Sequence, residues 1–237
     1  MPRTRFVSSA ALVALLLAPA LGVVGASAGA ASAPTVSSLL GASARALKGQ
    51  QGVHLVVTTE RKGVRSAAVA DIGLSAGHES YTSGAERFEV AVTSRAAYLS
   101  GSPGGLRSLM GLTKTQVAKV GAKWIVMKKG STQYKEFRLN LTATGFAAIL
   151  PSAKGTHLLA TRDATTGGYQ LRWTTPASAS ASASTTTLVL AAGAHALPLR
   201  EEVSAAGATS LTVFSHWGEA VHFSRPAATI AYAKVFG

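Results

Sequence analysis

From residue 88 to 127 the chain changes its hydrophobic period. Two strand-like runs, FEVAVTSRAAYLS and KWIVM, enclose two short segments whose apolar residues recur three and four apart. The first segment has Ser102 as N-cap, Pro103 at the first helical position and Gly111 just past its end. Leu106, Leu109 and Met110 then share one face. In the second, Thr113 and Gln116 have capping-box spacing, Leu112 and Val117 have staple spacing, and Gly121 is placed to stop the helix. A third segment has Thr142 as N-cap, Leu141 set to meet Phe146, and a stripe of Phe146, Ile149 and Leu150 that Pro151 ends. Short helices with one apolar face require a sheet to bury it, which predicts an α+β fold with helices gathered on one side of an antiparallel sheet.

The rest of the chain follows the same logic. A weakly amphipathic helix is predicted over 36–48, ended by Gly49 and Gly52, with strands at 53–59 and 64–72 joined at a Lys62-Gly63 tip. Further strands are expected at 79–83, 87–93, 96–100, 124–128 and 156–161, with a polar crossing over 129–140. Gly167-Gly168 turns the chain into a strand whose Tyr169, Leu171 and Trp173 point to one side. The Ala/Ser tract at 176–184 reads as a loop, and strands at 185–190, 197–204, 209–215 and 220–224 read as a four-strand meander.

Residues 1–33 stand apart as an export signal. Arg3 and Arg5 precede an apolar run over 10–18, followed by Ala26-Ser27-Ala28 and Ala28-Gly29-Ala30 as cleavage sites. That run is short against the roughly 20 apolar residues of a spanning helix, so removal is expected rather than permanent anchoring. This leaves a single domain over 34–237, expected to be monomeric and secreted or held in the cell envelope. With no cysteine, it has neither disulfides nor a thiol for lipidation.

Beyond the signal, 21 basic residues face 10 acidic ones, a formal charge of +11. Arg107, Lys114, Lys119, Lys123, Lys128, Lys129, Lys135 and Arg138 have only Glu136 among them. Such a patch favours an anionic membrane surface or cell-wall polymer, or simply keeps the chain soluble. Nucleic acid is not expected, because no recognition motif accompanies the charge. His216, Glu219 and His222 have metal-like spacing, but Trp217-Gly218 reads as a turn that breaks the geometry, so no metal and no cofactor is expected. HExxH, GxSxG, P-loop and GxGxxG motifs are absent, and no acid pair is recognisable, so the chain is not expected to be an enzyme.

Two stretches carry a resemblance. One runs from Ala97-Tyr98-Leu99 through Leu106 and Gly111-Leu112-Thr113 to Lys123-Trp124-Ile125-Val126. The other runs from Leu197-Pro198-Leu199-Arg200 through Val213-Phe214-Ser215-His216-Trp217-Gly218-Glu219-Ala220-Val221 to Pro226. Together they resemble the actinobacterial lipoprotein-like proteins of the LppX/LprG type, similar in fold to the periplasmic lipoprotein carriers LolA and LolB. The resemblance implies a strongly curved antiparallel half-barrel, LolA-like, with short helices on its concave face and an apolar cavity for a lipid or acyl chain. This chain departs from many such relatives in lacking the lipidated Cys after the signal.

The function expected is therefore a non-catalytic, carrier-like protein that binds a lipid between sheet and helices. Its candidate walls are Leu109, Met110, Leu112, Val117, Trp124, Val126, Phe146, Ile149, Leu150 and Trp173. Lys114, Lys119, Lys123, Lys128 and Lys129 are candidates for an anionic headgroup or surface. The alternative is an envelope interaction or sensory module whose helix stripes are plain core and whose basic face binds anionic polymers or a protein partner.

Overall fold

The computed structural model describes residues 34–108, 110–143, 146–151, 158–177, 182–193 and 195–237. The predicted export signal and Leu109 lie outside the described residues. The fold is α+β, with a large, unclosed, antiparallel sheet and few short helices, as the pattern predicts. It divides into two compact units. Among the described residues, one comprises 50–143 and 207–237 and the other 34–49 and 146–206.

The first unit contains β1 (Gly52–Arg61), β2 (Val64–Gly73), β3 (Gly77–Ser83), β4 (Glu86–Val92), β5 (Ala96–Gly101), α2 (Pro103–Ser108), α3 (Lys114–Val120), β6 (Trp124–Lys128) and α4 (Thr132–Leu141). At its end come β11 (Ala208–Ser215), β12 (Thr229–Ala231) and α5 (Tyr232–Phe236). Its strands lie in the order β12-β6-β5-β4-β3-β2-β1-β11, antiparallel except that β12 runs parallel to β6. The second unit holds α1 (Val36–Lys48), a 3₁₀ turn (Phe146–Ile149), β7 (Leu159–Arg162), β8 (Tyr169–Thr175), β9 (Ser184–Leu190) and β10 (Pro198–Ala205), with strands in the order β10-β9-β8-β7.

Local signals are realised where the chemistry is local. Lys62 and Gly63 both take positive φ, 51° and 76°, and close the β1–β2 hairpin. The Ser102 hydroxyl accepts from the Gly105 N–H at 3.1 Å to start α2. The capping box of α3 is complete: the Thr113 hydroxyl accepts from the Gln116 N–H at 3.2 Å, and the Thr113 N–H donates to Gln116 Oε1 at 2.8 Å.

Three readings need correction. The predicted polar crossing at 129–140 contains α4, capped by Ser131, whose hydroxyl accepts from the Tyr134 N–H at 3.2 Å. Tyr134, Phe137 and Leu141 form its apolar stripe. Thr142 therefore closes α4 instead of opening a third helix: its N–H and its hydroxyl both donate to the Arg138 carbonyl, at 3.0 and 2.8 Å. The third segment is only a 3₁₀ turn.

The strand predicted at 220–224 does not form. Residues 216–228 instead cross one face of the sheet as an irregular strap. The Gly218 N–H donates to the Gly52 carbonyl at one end, and the Trp124 N–H donates to the Ala228 carbonyl at the other, both at 3.0 Å. Gly52 and Gly73 face each other in register beneath it. A Cβ on Gly52 would strike the Glu219 carbonyl, and one on Gly73 would lie 2.9 Å from Val221 Cβ. The sheet admits the strap only because both side chains are missing.

Alternation along β4–β6 gives the first unit two buried layers. On one face Val90, Val92, Ala97, Leu99, Ile125 and Met127 pack under Leu106 of α2, Leu112, Val120 of α3, Tyr134 and Leu141 of α4, and Val235 of α5. The buried Tyr134 hydroxyl is satisfied by the Thr93 carbonyl at 3.1 Å. On the other face Ala91, Ala96 and Tyr98 pack with Trp124, Val126 and the strap residue Phe223. Its ring lies 5.5 Å from His78, 6.0 Å from Tyr98 and 5.9 Å from Trp124.

Candidate functional site

Nine of the ten candidate wall residues lie among the described residues, on two faces of the first unit and within the second unit. Leu112 is buried in the helix-side core of the first unit, and Met110 and Val117 lie half-buried against it. Trp124 and Val126 occupy the opposite face, because successive strand residues point to opposite sides and Ile125 and Met127 take the helix side. Phe146, Ile149, Leu150 and Trp173 belong to the second unit. There Phe146 and Leu150 are buried, Ile149 is half-buried, and Trp173 shares a strand face with the fully buried Leu171.

The five candidate lysines are all exposed. Lys114 and Lys119 stand on α3 either side of Val117, Lys123 precedes β6, and Lys128 and Lys129 follow its buried residues. The ion pairs seen among the described residues, His54–Asp71 and His78–Glu89, do not include these lysines.

Several apolar side chains around the closed core stay half-open. Phe88, Met110, Val117 and Phe137 each pack on the core yet remain partly exposed. Tyr81 joins them, paired in register with Phe88 and with its ring 5.2 Å away. The sequence reading missed Tyr81, Phe88 and Phe137. The strand alternation holds the first two, and Phe137 was hidden in the stretch taken for a polar crossing.

Glu79 was also missed. It follows Gly77 and precedes Tyr81 on the same face of β3, paired with Ala70 on one side and Val90 on the other. Both partners are buried, and Glu79 itself is only 7% exposed. Burial among apolar neighbours raises its carboxyl above the ordinary value of 4.5. Glu201, half-buried opposite Leu188 in the second unit, is raised for the same reason.

The polar residues of the strap side are differently organised. His54 Nδ1 lies 2.7 Å from Asp71 Oδ1, and the His54 ring has His216 as a neighbour at 5.4 Å. His78 Nε2 is 3.9 Å from Glu89 Oε2. Among the described residues no group of three histidine or acidic side chains is placed to hold a metal ion, and no helix is long and apolar enough to cross a membrane.

No protein-family model and no curated protein matches the chain. Among solved structures it is similar to the lipoprotein LppX of Mycobacterium tuberculosis, at 18% identity and a TM-score of 0.45 over 79% of this chain and 99% of that one. It is similar to LprF of Mycobacterium bovis at 14% identity and a TM-score of 0.46, covering 80% and 96%. A DUF1329-family protein of Desulfovibrio piger follows at 9% identity and a TM-score of 0.29, covering 80% and 95%.

Proposed function

We propose that this chain is a non-catalytic carrier, exported or held in the cell envelope, that binds a lipid or acyl chain on the helix side of its first unit. The observation that supports this is that Phe88, Met110, Val117 and Phe137 pack against the closed core yet stay half-buried, with Tyr81 against Phe88. Aromatic rings and a flexible Met offer large contact area with adaptable shape. An acyl chain gains about 0.8 kcal/mol for each CH₂ it buries, so about ten buried methylenes supply about 8 kcal/mol before the losses of association. Leu112 belongs to the floor beneath this surface. Lys114 and Lys119 beside Val117, with Lys123, Lys128 and Lys129, would meet an anionic headgroup or membrane.

Native mass spectrometry of protein purified from its own host, followed by lipid extraction, tests the reading. Bound lipid at fixed stoichiometry is the expected result. Its absence, together with failure to take up a fluorescent acyl probe, overturns it.

A second reading is favoured by one observation, the tight filling between α2–α5 and β4–β6. In it the core is complete, and the exposed lysines bind anionic envelope polymers or a protein partner. Pull-down with cell-wall fractions separates the two, since charge-driven adhesion weakens as salt rises and acyl burial does not.

A further inference from the structure

At the end of the sheet opposite the Lys62-Gly63 tip, α4 lies across the turns that join the strands of the first unit. The Tyr134 hydroxyl donates to the Thr93 carbonyl at 3.1 Å, in the turn between β4 and β5. At the far end of the helix the Leu141 carbonyl packs on Gly77, and the Ala143 N–H donates to the Gly73 carbonyl at 3.0 Å, which ties α4 to the turn between β2 and β3. That turn holds Leu74, 40% exposed, and α4 itself carries Leu139, 78% exposed. Tyr134, Phe137 and Leu141 take the core side of the helix, which leaves Leu139 on the side turned to water. A single exposed leucine is ordinary, but these two stand at one end of the same sheet among cations.

Arg95 in the β4–β5 turn, Lys128 and Lys129 where β6 leads into α4, and Lys135 on α4 are all exposed. The Lys129 N–H donates to the Arg95 carbonyl at 3.1 Å, so the two turns share this end. The ion pairs among the described residues include none of these cations. Glu136 and Glu219 offset part of the charge, and Asp71 is taken by His54 at 2.7 Å. A soluble polyanion would meet the cations and gain nothing from the leucines. An anionic bilayer rewards both, because the leucines leave water as the cations reach the headgroups.

We infer that this end of the first unit docks on an anionic lipid bilayer, with Leu74 and Leu139 inserted and Arg95, Lys128, Lys129 and Lys135 facing the headgroups. The inference rests on the membrane part of the proposed function. It brings Phe137, on the same helix as Leu139, to the leaflet that would supply a lipid.

Flotation tests it on protein purified from its own host, with vesicles of phosphatidylcholine alone or mixed with an equal amount of phosphatidylglycerol. Long-chain polyphosphate serves as the soluble polyanion. Wild type should float with the anionic vesicles and stay free of the neutral ones. Lys128→Gln with Lys129→Gln should weaken binding by about fivefold for each charge. Leu74→Gln with Leu139→Gln should weaken vesicle binding by about tenfold and leave polyphosphate binding unchanged. Val64→Gln alters an exposed apolar residue beside Arg61, Lys62 and Arg65 at the opposite end of β2, and should change neither. Leu139→Trp in an otherwise wild-type chain gives a second readout: brominated lipid should quench its fluorescence beyond the native background. Vesicle binding indifferent to the leucines, an equal loss with Val64→Gln, or no binding to anionic vesicles overturns the inference. Uptake of a fluorescent acyl probe by the same proteins reports the carrier role separately. Docking without uptake overturns that role and leaves the docking surface intact, and uptake without docking does the reverse.

Discussion

Replacing Glu79 by leucine should stabilise the unliganded protein, whereas most substitutions of buried residues destabilise. The wild-type side chain is packed between the buried Ala70 and Val90, and this burial penalises its charged form. Packing a polar group among apolar neighbours costs about 1–3 kcal/mol even when it is neutral. Leucine removes the cost and adds apolar burial, offset in part by its different shape, so a net gain of about 1–3 kcal/mol is expected. In a domain of this size each kcal/mol moves the melting temperature by about 2–4 °C. The effect depends on pH, and its sign follows from the raised carboxyl. The native state holds the proton more tightly than the unfolded chain, so this group's contribution is most favourable below the ordinary value of 4.5 and is lost as pH rises through the higher native value. Melting followed by circular dichroism from pH 4 upward should therefore show the leucine variant's advantage growing with pH until the native carboxyl has ionised. Glu79→Gln should remove the slope without the full gain, because it cannot ionise but still places a polar group among apolar neighbours. A leucine variant less stable than wild type at every pH, or one with the same pH slope as wild type, would refute the reasoning.

Two further predictions concern the faces of the sheet and the helix caps. Ile125→Ala empties a fully buried site on the helix side and should cost about 3 kcal/mol in urea denaturation, whereas Val126→Ala on the opposite, half-buried face should cost about 1 kcal/mol or less; equal losses would contradict the assigned faces. Thr113→Ala breaks the capping box of α3 and should cost about 1 kcal/mol, with Thr113→Ser recovering most of the melting temperature.

Much of the local structure was legible because its causes lie within a few residues. Ser102-Pro103 and Gly111 bound α2, Thr113 and Gln116 begin α3, Lys62-Gly63 turns β1 into β2, and β6 occupies the predicted 124–128. The third helix was misread where a local signal was ambiguous: a Thr after a helix and a Thr before one look alike, and Thr142 spends its hydroxyl on the carbonyl of Arg138 behind it. α4 could have been found from Ser131 and the stripe of Tyr134, Phe137 and Leu141, but the charged residues between them hid it.

The candidate site was harder to read, for a physical reason. Apolar type marks a residue as fit for burial, but burial against what depends on which strand lies alongside and on which face. Trp124 and Ile125 are both apolar in sequence, yet the strand period puts one beside Phe223 of the strap and the other under the helices. Glu79 looked like one of several scattered acids until its pairing with Ala70 and Val90 placed it among apolar neighbours. By itself the sequence determined the caps, the hairpin tip at Lys62-Gly63, the α+β class and the excess of positive charge, since these depend on neighbouring residues or on totals. Only the tertiary structure decided which apolar side chains are closed away, which stay half-open, and which carboxyl is packed among apolar neighbours, because strand register and the helices laid over the sheet set all three.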